Sequence, residues 1–146
     1  MATVRQMLDR KGHEVHTVAP DVTVFEALQK MAEHNVGALP VVDASGKIIG
    51  LFSERDYARK VILQGKASKD ITVSEIMSTH VLYVTPDTTD WQCMALMTDK
   101  RVRHLPVLEG GRLVGFVSIG DVVKSIMDEQ KFHIEQLERY IQSGMS

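Results

Sequence analysis

The hydrophobic pattern of the chain changes period several times, and the same order of periods occurs twice. Apolar residues recur at helical spacing behind Thr23 and again behind Thr89. Two short apolar runs, each of a length suited to a buried strand, follow each of these helices: 39–42, 47–52, 105–108 and 112–117. A second helical pattern then begins at Ser53 and at Ser118. The pattern predicts an α/β protein with the order strand–helix–strand–strand–helix, present twice.

Residues Val15–Val61 and Val81–Ile126 are copies of one sequence. The prolines of the first copy align with those of the second at one offset, and a single deletion then aligns Gly50 with Gly115. Each copy holds only about 60 residues, which is marginal for independent folding. We therefore expect the copies to pack sheet against sheet with pseudo-twofold symmetry, which creates a cleft of the kind where ligand pockets form.

Three regions follow from this duplication. They are repeat 1 with its leader, repeat 2 with its leader, and a C-terminal helical extension: 1–66, 67–127 and 128–146. The leader Val4–Leu8 resembles Val73–Met77, and a Thr72 capping box predicts a short helix in the second leader.

Apolar residues continue at helical spacing to Ile141, which predicts one long helix at the end of the chain. Up to about Met127, packing on its own domain and dimerisation are equally compatible with the pattern. Beyond that point the helix outruns the repeat, and we expect it to dock on a second subunit in a homodimer.

Composition narrows the class of protein. The net charge is −2 and the pI is near 6.3, which gives no electrostatic basis for binding nucleic acid or an anionic membrane. The sequence shows neither a secretory signal nor an apolar run long enough to span a bilayer. The one cysteine, Cys93, excludes an internal disulfide and fits a small core residue. We expect a cytoplasmic protein with no membrane or nucleic-acid partner.

Two motifs of the form G-h-h-S-x-x-D carry the candidate chemistry, at Gly50–Asp56 and Gly115–Asp121. Serine followed by aspartate three residues later, at the start of a helix, is typical of a helix cap. The same geometry also suits a nucleotide. Free N–H groups at the helix N-terminus bind phosphate, the carboxylate accepts ribose hydroxyls, and glycine permits a close approach to the backbone.

The two motifs, the strand prolines and the turn glycines resemble the CBS-domain family over almost the whole chain, from Val4 to about Ile126. The resemblance implies a tandem CBS pair, or Bateman module, of the small stand-alone type. In that family the terminal aspartate holds the ribose diol and the serine contacts ribose or phosphate. It therefore implies those roles for Asp56 and Asp121, and for Ser53 and Ser118.

The resemblance further implies one main site and one weaker site, because the two copies differ before the strand proline. The main-site residues would contact ribose, base and phosphate: Ser118 and Asp121 at the ribose, Gly37 and Ala38 beside the base, His16 closing over the ring, and Arg103, His104 and Arg55 toward the phosphate. The weaker site would have bulkier neighbours: Ser53, Asp56, Thr79 and Val81. A solvated surface pair is the alternative interpretation of Arg103 and His104.

The implied function is a non-enzymatic sensor of AMP, ADP, ATP or NAD(H), which signals a change of conformation to a partner protein. AMP and NAD(H) are favoured, because few basic residues would lie at the phosphate end. An interaction or scaffold protein with vestigial nucleotide sites is the alternative. No nucleophile with an activating base is visible, and His13 and His16 lack the further ligands that a metal site needs. We therefore expect neither catalysis nor a bound metal.

Overall fold

The protein is a mixed α/β chain of six helices and four strands in this computed structural model, which describes residues 1–145. The elements in chain order are α1 (Val4–Lys11), α2 (Val24–His34), β1 (Ala38–Val42), β2 (Ile48–Ser53), α3 (Glu54–Tyr57) with a π-helical turn (Ala58–Ile62), α4 (Val73–Ile76), α5 (Asp90–Lys100), β3 (His104–Glu109), β4 (Arg112–Ser118) and α6 (Ile119–Met145). The predicted fold class and the long C-terminal helix are confirmed.

The chain forms two compact units. Unit 1 contains Met1–His13, Val84–Val107 and Gly115–Ser146, and unit 2 contains Glu14–Tyr83 with Leu108–Val114. Each leader helix is therefore grouped with the copy that does not follow it in the sequence. The ranges 1–66 and 67–127 remain a prediction about the sequence repeats. In the structure, each compact unit combines one repeat with the leader that precedes the other repeat.

The exchange rests on equivalent hydrogen bonds in the two units. The first N–H of α1, at Val4, donates to the carbonyl of Thr88 at 2.7 Å, just before α5. The first N–H of α4, at Val73, donates to the carbonyl of Val22 at 2.9 Å, just before α2. Because these bonds occupy backbone groups that a helix leaves unpaired, each leader helix is fixed at its N-terminus.

The four strands form two hairpin-connected pairs. In unit 2, β1 and β2 are antiparallel from Ala38 opposite Ser53 to Val42 opposite Ile48, with an irregularity at Val41/Val42. Strands β3 and β4 form the second two-stranded sheet. The repeat pattern predicts a strand ahead of α2 and another ahead of α5. The structure has only a single parallel bridge at each of these places, such as the one between Val18 and Val41. A wholly buried core in unit 2 includes Leu39 and Phe52.

The predicted helix starts are present. Thr89 forms a complete capping box, and Thr23 accepts a hydrogen bond from the N–H of Glu26 at 3.1 Å. At Thr72 the N–H donates to Glu75 Oε2 at 2.9 Å. Asn35 ends α2 in the left-handed conformation, as its position predicted.

The glycine of each motif is required by protein packing. A Cβ on Gly115 would lie 2.6 Å from a methyl group of Leu8, and one on Gly50 would lie 2.5 Å from the sulfur of Met77. Leu8 and Met77 are equivalent residues of the two leaders. The glycines therefore admit a leader side chain, where the sequence suggested an approaching ligand.

We expect Gly115→Ala to lower the free energy of unfolding by about 1–3 kcal/mol, because the added methyl overpacks the contact with Leu8. Urea unfolding measures this loss. Gly120→Ala is the matched control, since its Cβ would meet only Ser118 Oγ at 3.6 Å, an ordinary contact. In a Leu8→Ala background the Gly115→Ala cost should largely disappear. Equal costs in both backgrounds would contradict the packing explanation.

Candidate functional site

Both motif serines cap their helices. In unit 2 the N–H of Asp56 donates to Ser53 Oγ at 3.2 Å, and the N–H of Ser53 donates to Asp56 Oδ2 at 3.0 Å. In unit 1 the N–H of Asp121 donates to Ser118 Oγ at 3.2 Å, and the N–H of Ser118 donates to Asp121 Oδ2 at 2.8 Å. The capping role is confirmed in both copies. A ligand role therefore depends on how many further hydrogen bonds each carboxylate can accept.

The Asp56 carboxylate is largely committed within unit 2. Its Oδ1 accepts a hydrogen bond from Ser78 Oγ at 3.2 Å and lies 3.3 Å from the ammonium nitrogen of Lys60. Its Oδ2 accepts from the N–H and the hydroxyl of Ser53. Only 7% of the residue is exposed. Both oxygens of Asp56 therefore serve the fold, which leaves little capacity for a ribose.

The Asp121 carboxylate is more open and has a different partner. Lys11, from the last turn of α1, donates to Asp121 Oδ2 at 2.6 Å and to the carbonyl of Phe116 at 2.8 Å. The Asp121 side chain remains 26% exposed. Ser118 and Lys11 donate to the same oxygen, and a carboxylate offers about four acceptor positions, so Asp121 can accept further donors.

Sequence reasoning missed Lys11. The repeat marks Leu8 and Met77 as equivalent leader residues and Gly50 and Gly115 as equivalent glycines, but only the structure shows that the leader residues pack on the glycines. The residues that follow each leader must then lie near the matching serine–aspartate motif. In unit 2 that segment supplies Ser78, and in unit 1 it supplies Lys11.

Asp121 is ionised at neutral pH. Burial alone raises the pKa of its carboxyl group, but the Lys11 ammonium and the hydrogen bonds from Ser118 outweigh burial and hold the pKa below its ordinary value. The side chain is therefore an acceptor of hydrogen bonds, as a diol-binding group must be.

His104 is partly buried at the start of β3, where its ring stacks on Phe116 with the centroids 5.5 Å apart. Burial lowers the pKa of His104; Asp121 opposes this effect, whereas Lys11 and Arg103 reinforce it. The imidazole is thus mainly neutral at pH 7, and it can offer phosphate an N–H but little charge.

Arg103 is exposed, and its position is fixed through the backbone. Its carbonyl accepts a hydrogen bond from the N–H of Ile119 at 2.8 Å, which joins the start of β3 to the start of α6. Gly37 has the equivalent role in unit 2, where its carbonyl accepts from Glu54 N–H at 3.1 Å. The structure therefore brings together Arg103, His104, Ser118 and Asp121 within unit 1.

The remaining predicted site residues belong to unit 2. Ala38 is fully buried, whereas Gly37 beside it is partly exposed. His16 is partly buried and stacks on His34 with the ring centroids 3.6 Å apart. Arg55 is exposed on α3, and Thr79 and Val81 follow α4 outside any helix or strand. The base-binding roles of Gly37, Ala38 and His16 stay predictions.

Among residues 1–145, no three His, Cys, Asp or Glu side chains are grouped closely enough to hold a metal ion. Over the same residues, every helix is too short or too polar to cross a bilayer.

The comparisons with known proteins agree on the repeated domain. The CBS domain family model matches residues 4–62 and 73–128. The mitochondrial CBS domain-containing protein CBSX3 of Arabidopsis thaliana is 44% identical over 128 residues, or 85% of this chain, and this chain spans 62% of its length. A solved protein with CBS domains from Burkholderia ambifaria is 50% identical, with a TM-score of 0.85 over 88% of this chain and 96% of its own. The CBS domain pair of protein MJ0100, solved with 5′-methylthioadenosine and S-adenosyl-L-methionine, is 26% identical, with a TM-score of 0.76 over 86% and 99%.

We expect Lys11→Met to raise the pKa of Asp121 toward the ordinary aspartate value of about 3.9, which a carboxyl-carbon NMR titration measures. Because the folded pKa is lowered, the pair stabilises the fold above the unfolded-state value, and this contribution is lost as the pH falls through the folded pKa. The variant should therefore lose less stability than wild type as the pH is lowered from about 5 through the pKa of Asp121, which acid unfolding curves measure.

Arg10→Met is the matched control for this titration. It removes the same charge from the neighbouring position of α1, but Arg10 lies 3.9 Å from Asp128 and pairs with that residue. If the two substitutions shift the Asp121 titration equally, the Lys11–Asp121 contact does not set that pKa.

Proposed function

Because the chain belongs to the CBS-domain family, with both of its repeats matched, we propose that it is a non-catalytic regulatory module that binds an adenosine nucleotide and signals to a partner protein. The observation that carries the proposal is the state of Asp121. It is an ionised, partly exposed carboxylate at the start of α6, with acceptor capacity beyond its bonds to Ser118 and Lys11.

The proposed ligand roles in unit 1 follow from charge and exposure. Asp121 accepts the ribose hydroxyls and Ser118 donates to ribose or phosphate. Arg103 supplies exposed positive charge for the phosphate, with Lys11 as a second cation near the same carboxylate. His104 supplies a neutral N–H.

The proposal retains the roles that the family resemblance implies in unit 2. Gly37, Ala38 and His16 are assigned to the base, and Arg55 to the phosphate. The site around Ser53, Asp56, Thr79 and Val81 is assigned lower affinity, because the Asp56 carboxylate already serves the fold.

The preferred ligands are AMP and NAD(H), because both present an adenosine 5′-phosphate to a site with few cations. The MJ0100 relative supports the adenosine part of this assignment, since both of its bound molecules contain adenosine with a ribose diol. Neither of those molecules carries a phosphate, so the phosphate end of the proposal rests on this chain's own residues, chiefly the exposed Arg103.

A scaffold protein with vestigial nucleotide sites is the second candidate. The completed capping boxes favour it, because they give Ser53, Asp56, Ser118 and Asp121 a structural reason to be present without any ligand. A homodimer and a cytoplasmic location remain part of the proposal under either function.

We expect Asp121→Ala to lower AMP affinity at least about tenfold, because one or two hydrogen bonds to a charged acceptor are lost. Calorimetry with AMP and 2′-deoxy-AMP, on wild type and variant, isolates the diol. The preference for AMP should vanish in the variant, with a coupling energy of about 1 kcal/mol or more. Asp56→Ala is the matched comparison and should affect binding less. An Asp121→Ala protein that melts earlier yet keeps full affinity and full discrimination would favour the scaffold.

Arg103→Ala should weaken AMP about 10- to 150-fold while it leaves adenosine almost unchanged, since a hydrogen bond to a charged group contributes about 1.5–3 kcal/mol. Titration calorimetry with both ligands measures the difference. Lys100→Ala removes a nearby exposed charge and serves as control. Equal losses for AMP and adenosine would show that Arg103 does not contact the phosphate.

A further inference from the structure

Helix α6 continues well past the body of unit 1. Val122 and Ser125 are buried in the unit, Asp128 pairs with Arg10, and Glu129 accepts a hydrogen bond from the N–H of Ala2. Every residue from Lys131 to Gly144 is exposed. The family match also ends at residue 128. This part of the helix is therefore a feature of this chain beyond the CBS domain.

The outer surface of α6 carries an apolar stripe that is distinct from its buried face. The exposed large residues of the stripe are Val123, Met127, Ile134, Leu137 and Ile141, at 38%, 64%, 54%, 61% and 56% exposure. At about 100° per residue they fall within an arc of about 80°. With Gln130 included, their spacing alternates between four and three residues, which is the spacing of a coiled-coil seam.

A helix of this length with an open apolar stripe needs a partner. Most of the stability of a helix in a protein comes from packing an apolar face, and the stripe beyond the body of unit 1 has no such packing within the described part of the chain. The charges that flank the stripe indicate which kind of partner covers it. Lys131 and Glu138 lie on one flank of the stripe. When two helices pair along such a stripe, the charged residues that flank it come close to those of the other helix.

We propose that the stripe pairs with α6 of a second copy as an antiparallel coiled coil, centred between Ile134 and Leu137. In this register Lys131 faces Glu138 of the partner subunit, and the twofold axis makes this pair twice. A parallel pair would instead place Lys131 against Ile126 of the partner subunit, with no charge complement. The charge pattern therefore selects the antiparallel arrangement.

The same centre pairs the two copies over the stretch from Met127 to Gly144. That stretch has its midpoint between Ile134 and Leu137, so each copy lies along the same stretch of the other. Met127 then lies opposite Gly144 of the partner subunit, where a long side chain meets a residue with none. The surface does not depend on nucleotide binding, so its test is independent of the sensor proposal.

The test uses two charge reversals of the full-length protein, measured by sedimentation equilibrium at low salt. Lys131→Glu creates two repulsive pairs with Glu138, and Glu138→Lys creates two repulsive pairs with Lys131. Each change should weaken self-association roughly tenfold, since each of the two pairs changes from attraction to repulsion. An equimolar mixture of the two variants should associate like wild type, because both pairs of the mixed dimer are again attractive.

Arg139→Glu and Glu135→Lys are the matched controls, since each makes the same change of charge away from this flank of the stripe. They should leave association unchanged. The proposal is overturned if wild type is monomeric at high micromolar concentration, if the controls weaken association as much as the test variants, or if the mixture associates no better than its components.

Discussion

The contact between a leader side chain and a motif glycine determines the rest of each unit. Leu8 over Gly115 and Met77 over Gly50 bring a leader helix against the strand that ends in the serine–aspartate motif. Because glycine carries no Cβ, the leader approaches closely enough for the residues that follow it to reach the motif aspartate. The glycine, the cap and the ligand chemistry are therefore parts of one packing arrangement.

The two units use this arrangement differently. In unit 2 the segment after the leader supplies the Ser78 hydroxyl to an aspartate that also has Lys60 on its own helix, so the carboxylate is enclosed. In unit 1 the leader supplies the cation itself, Lys11, and the carboxylate stays partly open. Two copies of one motif thus differ in chemistry because of residues outside the motif. This difference is the reason why the proposed main nucleotide site is assigned to Asp121 and the weaker one to Asp56.

The sequence sufficed for features that depend on neighbouring residues. The helix starts at Thr72 and Thr89, the left-handed residue Asn35 and the caps at Ser53 and Ser118 are all formed by residues within a few positions of one another. The environment of Asp121 was not predictable in this way, since Lys11 lies 110 positions away. The sequence shows that Gly50 and Gly115 are equivalent. It does not show why each must be glycine, because that depends on which side chain packs against the glycine. Likewise, the basic character of His104 was inferred from residue type, whereas burial decides its charge.

The exchange of leaders has a consequence for the order in which the protein forms during synthesis. Unit 2 is almost continuous in sequence, from Glu14 to Tyr83, and most of it is available once the first half of the chain has been made. Helix α1 is synthesised before the rest of unit 1, and Lys11 has no Asp121 to bind until 110 further residues have been added. At about 5–20 residues per second, this takes on the order of 5–20 s. The Lys11–Asp121 contact of the proposed nucleotide site therefore cannot form until the start of α6 has been synthesised, whereas most of unit 2 is available earlier.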